Sequence, residues 1–511
     1  MPTLNWIGKE SVVNHDREVP FRLLKKVKSA SVGENSQNLI IHGDNLEALK
    51  ALMPHYAGKI KCIYIDPPYN TGNEGWVYND KVNSPKIKKW LGKVVGGEAE
   101  DLCRHDKWLC MMYPRLKLLR ELLHEDGVIF VSIDDYEVHN MRNLLDEIFY
   151  IDSFVATIIW KKKVFDNNDN IPALHEYVIV YAKRSGTHTF NLLERTQTQL
   201  NKYTNPDNDP RGPYNLEKLT ANSEGGRYSK ATDFPIIDPK TGKQFISNTR
   251  NWRFGKDTID KMIKEGRIDF KGKLPRYRLY LNEIKQGVAP NTWWDDCGHN
   301  LHATKELQEL FGQKEFNTPK PTALIKKMIK ISSNKEDIIL DSFAGSGTTG
   351  HAVLDLNKED CGTRKFILIE MEDNIAKNIT AERVKRSIKR YEYKEGFEYC
   401  ELDKPLFNVW GEIEESCSFE QLATYIYFTE TQTNLDKKVI KDHNIGEFNG
   451  VSYYLIFREK GKNVLNKAFL NKLKKDYVKK VIYADQCLLD DETLTEYNIQ
   501  FKQIPYEVKV Y

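Results

Sequence analysis

The chain holds no apolar run approaching the roughly 20 residues that a membrane-spanning helix requires, which argues against a helical membrane protein. Its opening residues, Met1-Pro2-Thr3-Leu4-Asn5-Trp6, lack the basic-then-apolar layout of a secretion signal, so a cytoplasmic location without a membrane partner is expected. Cysteine is sparse and scattered: 8 residues, none in C-x-x-C spacing, which excludes the common zinc and redox motifs. They are expected to be reduced, buried small hydrophobes. No metal site is expected. The chain also lacks a dominant charge, because 76 basic residues nearly balance 73 acidic ones. Any nucleic-acid surface must therefore be a local patch. With no G-x-x-x-x-G-K-[ST] sequence, a P-loop nucleotidase is excluded as well.

What is present points to an α/β protein of several domains, since 511 residues exceed what one core usually organises. Asn38-Leu39-Ile40-Ile41-His42-Gly43-Asp44 reads as a strand leaving through a Gly-Asp turn, and the following residues have helical spacing. Cys62-Ile63-Tyr64-Ile65-Asp66-Pro67-Pro68-Tyr69-Asn70 is a second buried strand that empties into a rigid loop. Asp66 offers carboxylate acceptors, Pro67 and Pro68 stiffen the backbone, and Tyr69 offers a stacking face, a set suited to a planar exocyclic amine. An ordinary strand-to-turn exit is the competing reading of these four residues alone. The polar loop at 71–80 is expected to act as a lid. A helix is expected over 106–125, stopped by Gly127, then a strand over 128–133 and a helix near 136–149.

Between 151 and 300 the βα alternation fades, and 24 basic against 18 acidic residues give an excess of +6, larger than that of the whole chain. Aromatics interleave with the bases: Trp252, Phe254, Tyr277, Tyr280, Trp293 and Trp294. That mixture suits a surface holding phosphates and reading bases, although a solvated charged face would look the same. Regular α/β character returns from 301 to 395. The residues after 396 read as a small α/β domain, with strand, helix and strand at 451–457, 467–477 and 481–483.

Asp341-Ser342-Phe343-Ala344-Gly345-Ser346-Gly347-Thr348-Thr349-Gly350 gives a strand end, an acid and a glycine turn, and Glu370 ends the next strand. Gly345 and Gly347 permit a sharp turn and close ligand approach, while Glu370 can accept ribose hydroxyls. This spacing fits both NAD and S-adenosylmethionine, so a nicotinamide dehydrogenase is one alternative. Asp341 near the turn favours a cationic ligand over a pyrophosphate.

Taken together, Asp66-Pro67-Pro68-Tyr69 followed far downstream by Phe343-Ala344-Gly345-Ser346-Gly347 resembles the amino-group DNA methyltransferases of the β arrangement. Asn317-Thr318-Pro319-Lys320-Pro321 resembles the family motif on the methionine end of the cofactor, and Gly43-Asp44 the one near its adenine. Leu4-Asn5-Trp6-Ile7-Gly8-Lys9-Glu10 and the loop at 71–80 are similar to modification subunits of type III restriction systems. The resemblance implies a circularly permuted, Rossmann-like S-adenosylmethionine-dependent methyltransferase fold with a mostly parallel seven-stranded sheet. It covers about residues 1–395 and divides them into a catalytic half (1–150), an inserted target-recognition region (151–300) and a cofactor-binding half (301–395); beyond it, 396–511 is expected to be a C-terminal domain for assembly or partner binding.

The implied activity is methyl transfer to N6 of a flipped adenine in double-stranded DNA. Asp66, Pro67, Pro68 and Tyr69 would be catalytic, and Asp44, Lys320, Pro321, Asp341, Phe343, Gly345, Gly347 and Glu370 would bind cofactor. A nuclease–helicase restriction subunit and a second copy of the chain are the implied partners. Cytosine-N4 methylation on the same fold is the nearest alternative, and a DNA-binding specificity module without activity is another. No Pro-Cys dipeptide occurs, so a cytosine-C5 route through a cysteine nucleophile lacks its residue.

Overall fold

The computed structural model describes residues 4–33, 36–71, 104–165, 171–221, 229–247, 251–407, 413–414, 417–458 and 463–504. Apart from Thr71, the loop expected to act as a lid lies outside them. Among the described residues no helix is long and apolar enough to cross a membrane. Two compact units are present: one comprises residues 1–191 and 291–511, the other Leu192–Pro290.

The larger unit is built on one sheet. Its strands are β1 (Arg22–Lys26), β2 (Leu39–His42), β3 (Ile60–Ile65), β4 (Leu123–Ile133), β5 (Phe154–Lys161), β6 (His175–Ala182), β7 (Trp293–Trp294), β8 (Ile338–Asp341), β9 (Lys365–Glu370) and β10 (Glu398–Pro405). They lie in the order β1-β10-β2-β9-β8-β3-β4-β6-β5-β7. The run from β10 to β4 is parallel throughout, and β6 turns antiparallel between β4 and β5. Among the described residues the sheet therefore has ten strands, the expected seven plus three at its edges. The seven from β2 to β5 are extended by β1 and β10 at one edge and by β7 at the other.

Strands covered on both faces must be apolar nearly throughout, and β3 shows it: Ile60, Cys62, Ile63, Tyr64 and Ile65 are all buried. One face carries α1 (Asn45–Tyr56), α2 (Arg104–Leu122) and α3 (Val138–Phe149), whose Leu49, Trp108 and Leu145 share a core with Ile63, Ile65 and Ile367. After α4 (Asn300–Phe311) and α5 (Thr322–Ser332), α6 (Thr348–Asp360) lies on the other face, where Gly350 abuts Leu368 and Phe366.

Gly127 does not stop α2. The helix ends at Leu122, and Gly127 lies within β4, where a Cβ would come 2.9 Å from the Ile60 carbonyl. Its role is close strand approach, which a helix-stop reading of glycine misses.

The region from 151 to 191 contributes β5 and β6 to the main sheet, so the separate unit is narrower than the basic stretch that marked it. Leu192–Pro290 has its own antiparallel sheet, Ile268–Asp269, Arg276–Tyr280 and Tyr214–Lys218, and a helix at Lys256–Lys264. Here the structure corrects the aromatic reading. Trp252, Tyr277 and Tyr280 are buried, and Trp294, in the larger unit, is buried too. A unit of this size needs its large rings for a core, so they do not form an exposed stacking platform. Trp293 remains 55% exposed.

Following α7 (Glu382–Tyr391) and β10, α8 (Phe419–Thr431) packs with a second sheet in the order β11 (Asn444–Phe448), β12 (Val451–Leu455), β13 (Lys479–Ala484) and β14 (Ile499–Gln503). The helix expected at 467–477 is only Lys467–Leu470.

Candidate active site

Parallel pairing of β3 with β8 puts Asp341 opposite Tyr64, so the loops after Ile65 and after Asp341 leave from the same sheet edge. That edge is where open α/β sheets bind ligands. Residues nearly 280 positions apart in sequence are thereby adjacent, with the Asp66 strand preceding the glycine-turn strand as a permuted fold requires.

The Asp66 loop is held from three sides. The Trp108 indole donates to the Pro68 carbonyl at 2.7 Å. Asn70, in the left-handed region at φ 60°, donates to Glu137 Oε1 at 2.5 Å. Glu137 is fully buried, lies 2.6 Å from His105 Nδ1 and accepts from Asn140 at 2.8 Å. On the third side Tyr69 donates to Asp66 Oδ1 at 2.8 Å and approaches Glu176 Oε2 at 3.1 Å.

Lys320 joins this group. Its ammonium donates to Asp66 Oδ1 and Oδ2 at 2.8 and 2.7 Å and to the Tyr69 hydroxyl at 2.9 Å, and lies 5.0 Å from the Tyr69 ring centre. Glu176 Oε2 is 3.5 Å from that ammonium, and Lys162 donates to Glu176 Oε1 at 3.2 Å. Burial pushes the Asp66 carboxyl above its ordinary range, only partly offset by Lys320. For Glu176 burial acts the same way, but Lys320 and Lys162 outweigh it and hold the carboxyl below its usual value. For Lys320 burial opposes the charge, and Asp66 and Glu176 outweigh it, so the ammonium is held charged.

The second loop is a turn with two left-handed glycines, Gly345 at φ +48° and Gly347 at +75°. A Cβ on Gly347 would lie 2.9 Å from the Thr380 carbonyl, so only glycine fits. Asp341 sits beneath: one oxygen accepts from the Phe343 amide at 3.1 Å and the other from Thr349 at 2.6 Å. Burial pushes its carboxyl up to about 7 against those two bonds. Glu370 Oε2 accepts from the Gly345 amide at 2.9 Å, while Oε1 accepts from the Met371 and Glu372 amides at 2.9 and 3.0 Å. Fully buried Arg383 donates to Ser346 and Thr348 at 3.0 and 2.7 Å, bracing the turn from below.

The candidate residues thus separate by role in the structure. Phe343, Gly345, Gly347 and Glu370 converge on the turn. Pro321 immediately precedes α5 in extended conformation, and the Lys320 carbonyl accepts from Thr348 at 3.2 Å, tying the turn to the Asp66 loop. The Lys320 ammonium lies on Asp66. Asp44 caps α1, accepting from the Leu46 and Glu47 amides at 2.9 and 3.1 Å, and pairs with Arg115 at 3.3 Å. Gly43 beside it donates to the Glu370 carbonyl at 3.0 Å.

Comparison with known proteins decides the family. A DNA methylase model matches residues 60–383, more than half of the chain. This chain belongs to the DNA methylase family. Among curated methylases it is 37% identical over 368 residues to the StyLTI Mod subunit of a type III restriction-modification enzyme from Salmonella typhimurium, covering 68% of this chain and 55% of that one. It is 33% identical over 427 residues to the Escherichia coli EcoP15I Mod subunit, covering 73% and 64%. Type II methyltransferase M.KpnI of Klebsiella pneumoniae is 30% identical over 397 residues, covering 73% of this chain and 87% of that one. The matched stretch spans 55–65% of the length of the first three type III relatives. A methylase match leaves the dehydrogenase alternative without support.

Sequence reasoning missed Glu176, Lys162, Glu137, Trp108 and Arg383. The signal for Glu176 is a lone acid inside the apolar run of β6. Trp108 reads as an ordinary core residue of α2, and Glu137 and Arg383 carry no local signal, because their partners lie far along the chain.

Proposed function

We propose that this methylase transfers a methyl group from S-adenosylmethionine to N6 of an adenine flipped out of double-stranded DNA. The observation that carries the reading is the Asp66–Tyr69 loop standing beside the glycine turn on one sheet edge. The residues at the turn fit such a cofactor. Two left-handed glycines let a ligand approach the backbone, and Glu370 Oε2, with one amide partner, keeps acceptor capacity for a ribose hydroxyl. S-adenosylmethionine, when bound, supplies an electrophilic methyl group on a cationic sulfur.

The chain's own residues do the rest. An adenine amine is a weak nucleophile because its lone pair is conjugated into the ring. Accepting one N–H on the Asp66 carboxylate and the other on a backbone carbonyl localises that lone pair and aims it. Since the Pro68 carbonyl already serves Trp108, the Pro67 carbonyl is the one assigned this task. Tyr69 offers its face to the base, which must leave the duplex to reach the loop. The alkylated nitrogen then sheds one proton, and Asp66, whose carboxyl is raised by burial, is the nearest acceptor.

Leu192–Pro290, with 19 basic against 12 acidic residues, is proposed to contact DNA as the target-recognition unit. A modification subunit working in the cytoplasm as a homodimer with a nuclease–helicase partner is the accompanying proposal; similarity to Mod subunits of type III restriction-modification enzymes supports the modification role. The test is sequencing of modified bases in DNA from cells expressing the protein. N6-methyladenine at one recurring site supports the reading; N4-methylcytosine, or unmodified DNA, refutes it.

A further inference from the structure

The Lys320 ammonium sits against the Asp66 carboxylate and over the Tyr69 ring, the two features that the Asp66 loop offers to a substrate amine. Its three N–H donors are accounted for by Asp66 Oδ1, Asp66 Oδ2 and the Tyr69 hydroxyl. Asp66 has about four acceptor positions. Lys320 uses one on each oxygen and the Tyr69 hydroxyl a third, which leaves one; because the ammonium holds both Asp66 oxygens and lies 5.0 Å from the Tyr69 ring centre, an amine entering for that position meets Lys320 on either oxygen.

Glu176 offers the ammonium another place. Its Oε2 is 3.5 Å away, so a shift of less than about 1 Å brings it into hydrogen-bond range. Lys320 and Lys162 together hold Glu176 charged, and Oε2, with the Tyr69 hydroxyl at 3.1 Å, retains a lone pair for the ammonium. The side chains of Glu176 and Lys320 are 8% and 9% exposed and that of Asp66 is 23% exposed, so charge balance matters here. Asp66 and Glu176 against Lys162 and Lys320 sum to zero, and moving Lys320 between the two acids leaves that sum unchanged.

We propose that Lys320 is a displaceable counter-ion that fills the amine seat of Asp66 and passes to Glu176 when the substrate amine docks. The proposal rests on the methyl-transfer reading above. Lys320 and Glu176 are positioning residues in it: one holds Asp66 ionised and oriented without substrate, the other receives the cation so that Asp66 can turn to the base.

The test is single-turnover methyl transfer from S-adenosylmethionine to DNA by the full chain and three variants, Lys320→Met, Glu176→Gln and the double. Lys320→Met leaves the cluster one negative charge in excess, and Glu176→Gln leaves Lys320 with no acid but Asp66. Each should lose at least about tenfold in rate, Glu176→Gln chiefly through KM for DNA. The double variant restores the charge sum and removes the competing ammonium, so it should run at least about fivefold faster than either single. Lys320→Arg keeps the charge and serves if Lys320→Met fails to fold. Its rigid fork can span both acids at once, so transfer should slow with no loss of thermal stability. A double variant no faster than the slower single, or Lys320→Arg at the wild-type rate, overturns the proposal while leaving the methyl-transfer reading standing. A wild-type protein that methylates no DNA overturns both.

Discussion

Glu137 supports the Asp66–Tyr69 loop without touching Asp66 itself, and its removal is the sharpest test of how that loop is held. Its carboxylate is fully buried and meets Asn70 at 2.5 Å, His105 at 2.6 Å and Asn140 at 2.8 Å. A hydrogen bond to a charged group contributes about 1.5–3 kcal/mol. Asn70 is 1% exposed and cannot replace the bond with one to water, whereas partly exposed His105 recovers part of it from solvent. Glu137→Ala should therefore lower unfolding stability by about 1.5–3 kcal/mol, the worth of the buried bond to Asn70. The consequence for activity follows from the backbone. Asn70 is held at φ 60° in part by this bond, and its loss loosens the turn and with it the position of Asp66 four residues upstream. Urea denaturation followed by tryptophan fluorescence reads the first effect. Single-turnover methyl transfer reads the second, where a fall of at least about tenfold is expected with S-adenosylmethionine affinity unchanged. A Glu137→Ala protein with wild-type stability and wild-type transfer would refute the anchoring argument.

Three further outcomes follow from the same geometry. Asp66→Ala should abolish methyl transfer while retaining cofactor binding measured by calorimetry; an active variant removes Asp66 from the mechanism. Tyr69→Ala should weaken capture of the flipped base by about 1–3 kcal/mol, read in KM for DNA, and a loss confined to cofactor affinity contradicts it. Asp341, with its carboxyl raised to about 7 in the fold from an ordinary 3.8, binds its proton more tightly folded than unfolded. Its contribution to stability is thus fully present below about pH 4 and declines as the pH rises through 7. Asp341→Asn should flatten the stability profile across that interval, and an unchanged profile by thermal denaturation would show that Asp341 does not titrate there.

Much of the chemistry was legible in local sequence because its carriers are contiguous. Asp66-Pro67-Pro68-Tyr69 is a strand end and a stiff loop in four residues, and Gly345 and Gly347 announce a turn that only glycine can make at positive φ. The apolar runs of β3, β8 and β9 predict buried parallel strands, since strands covered on both faces read as unbroken hydrophobic stretches. Other features depend on contacts that no local pattern encodes. Lys320 belongs by sequence to a loop before α5, yet its ammonium reaches Asp66, 254 positions away. Trp252, Tyr277 and Tyr280 look alike in sequence whether they stack on bases or fill a core, and only the fold of Leu192–Pro290 buries them, the first two in one apolar cluster. Sequence alone determined which groups could bind a planar amine and a nucleoside, because residue type and spacing set those local properties. Tertiary structure decided that β3 lies against β8, and with it that Asp66, Glu176 and Lys320 share one partly desolvated charge cluster, because such a cluster is a property of distance in space.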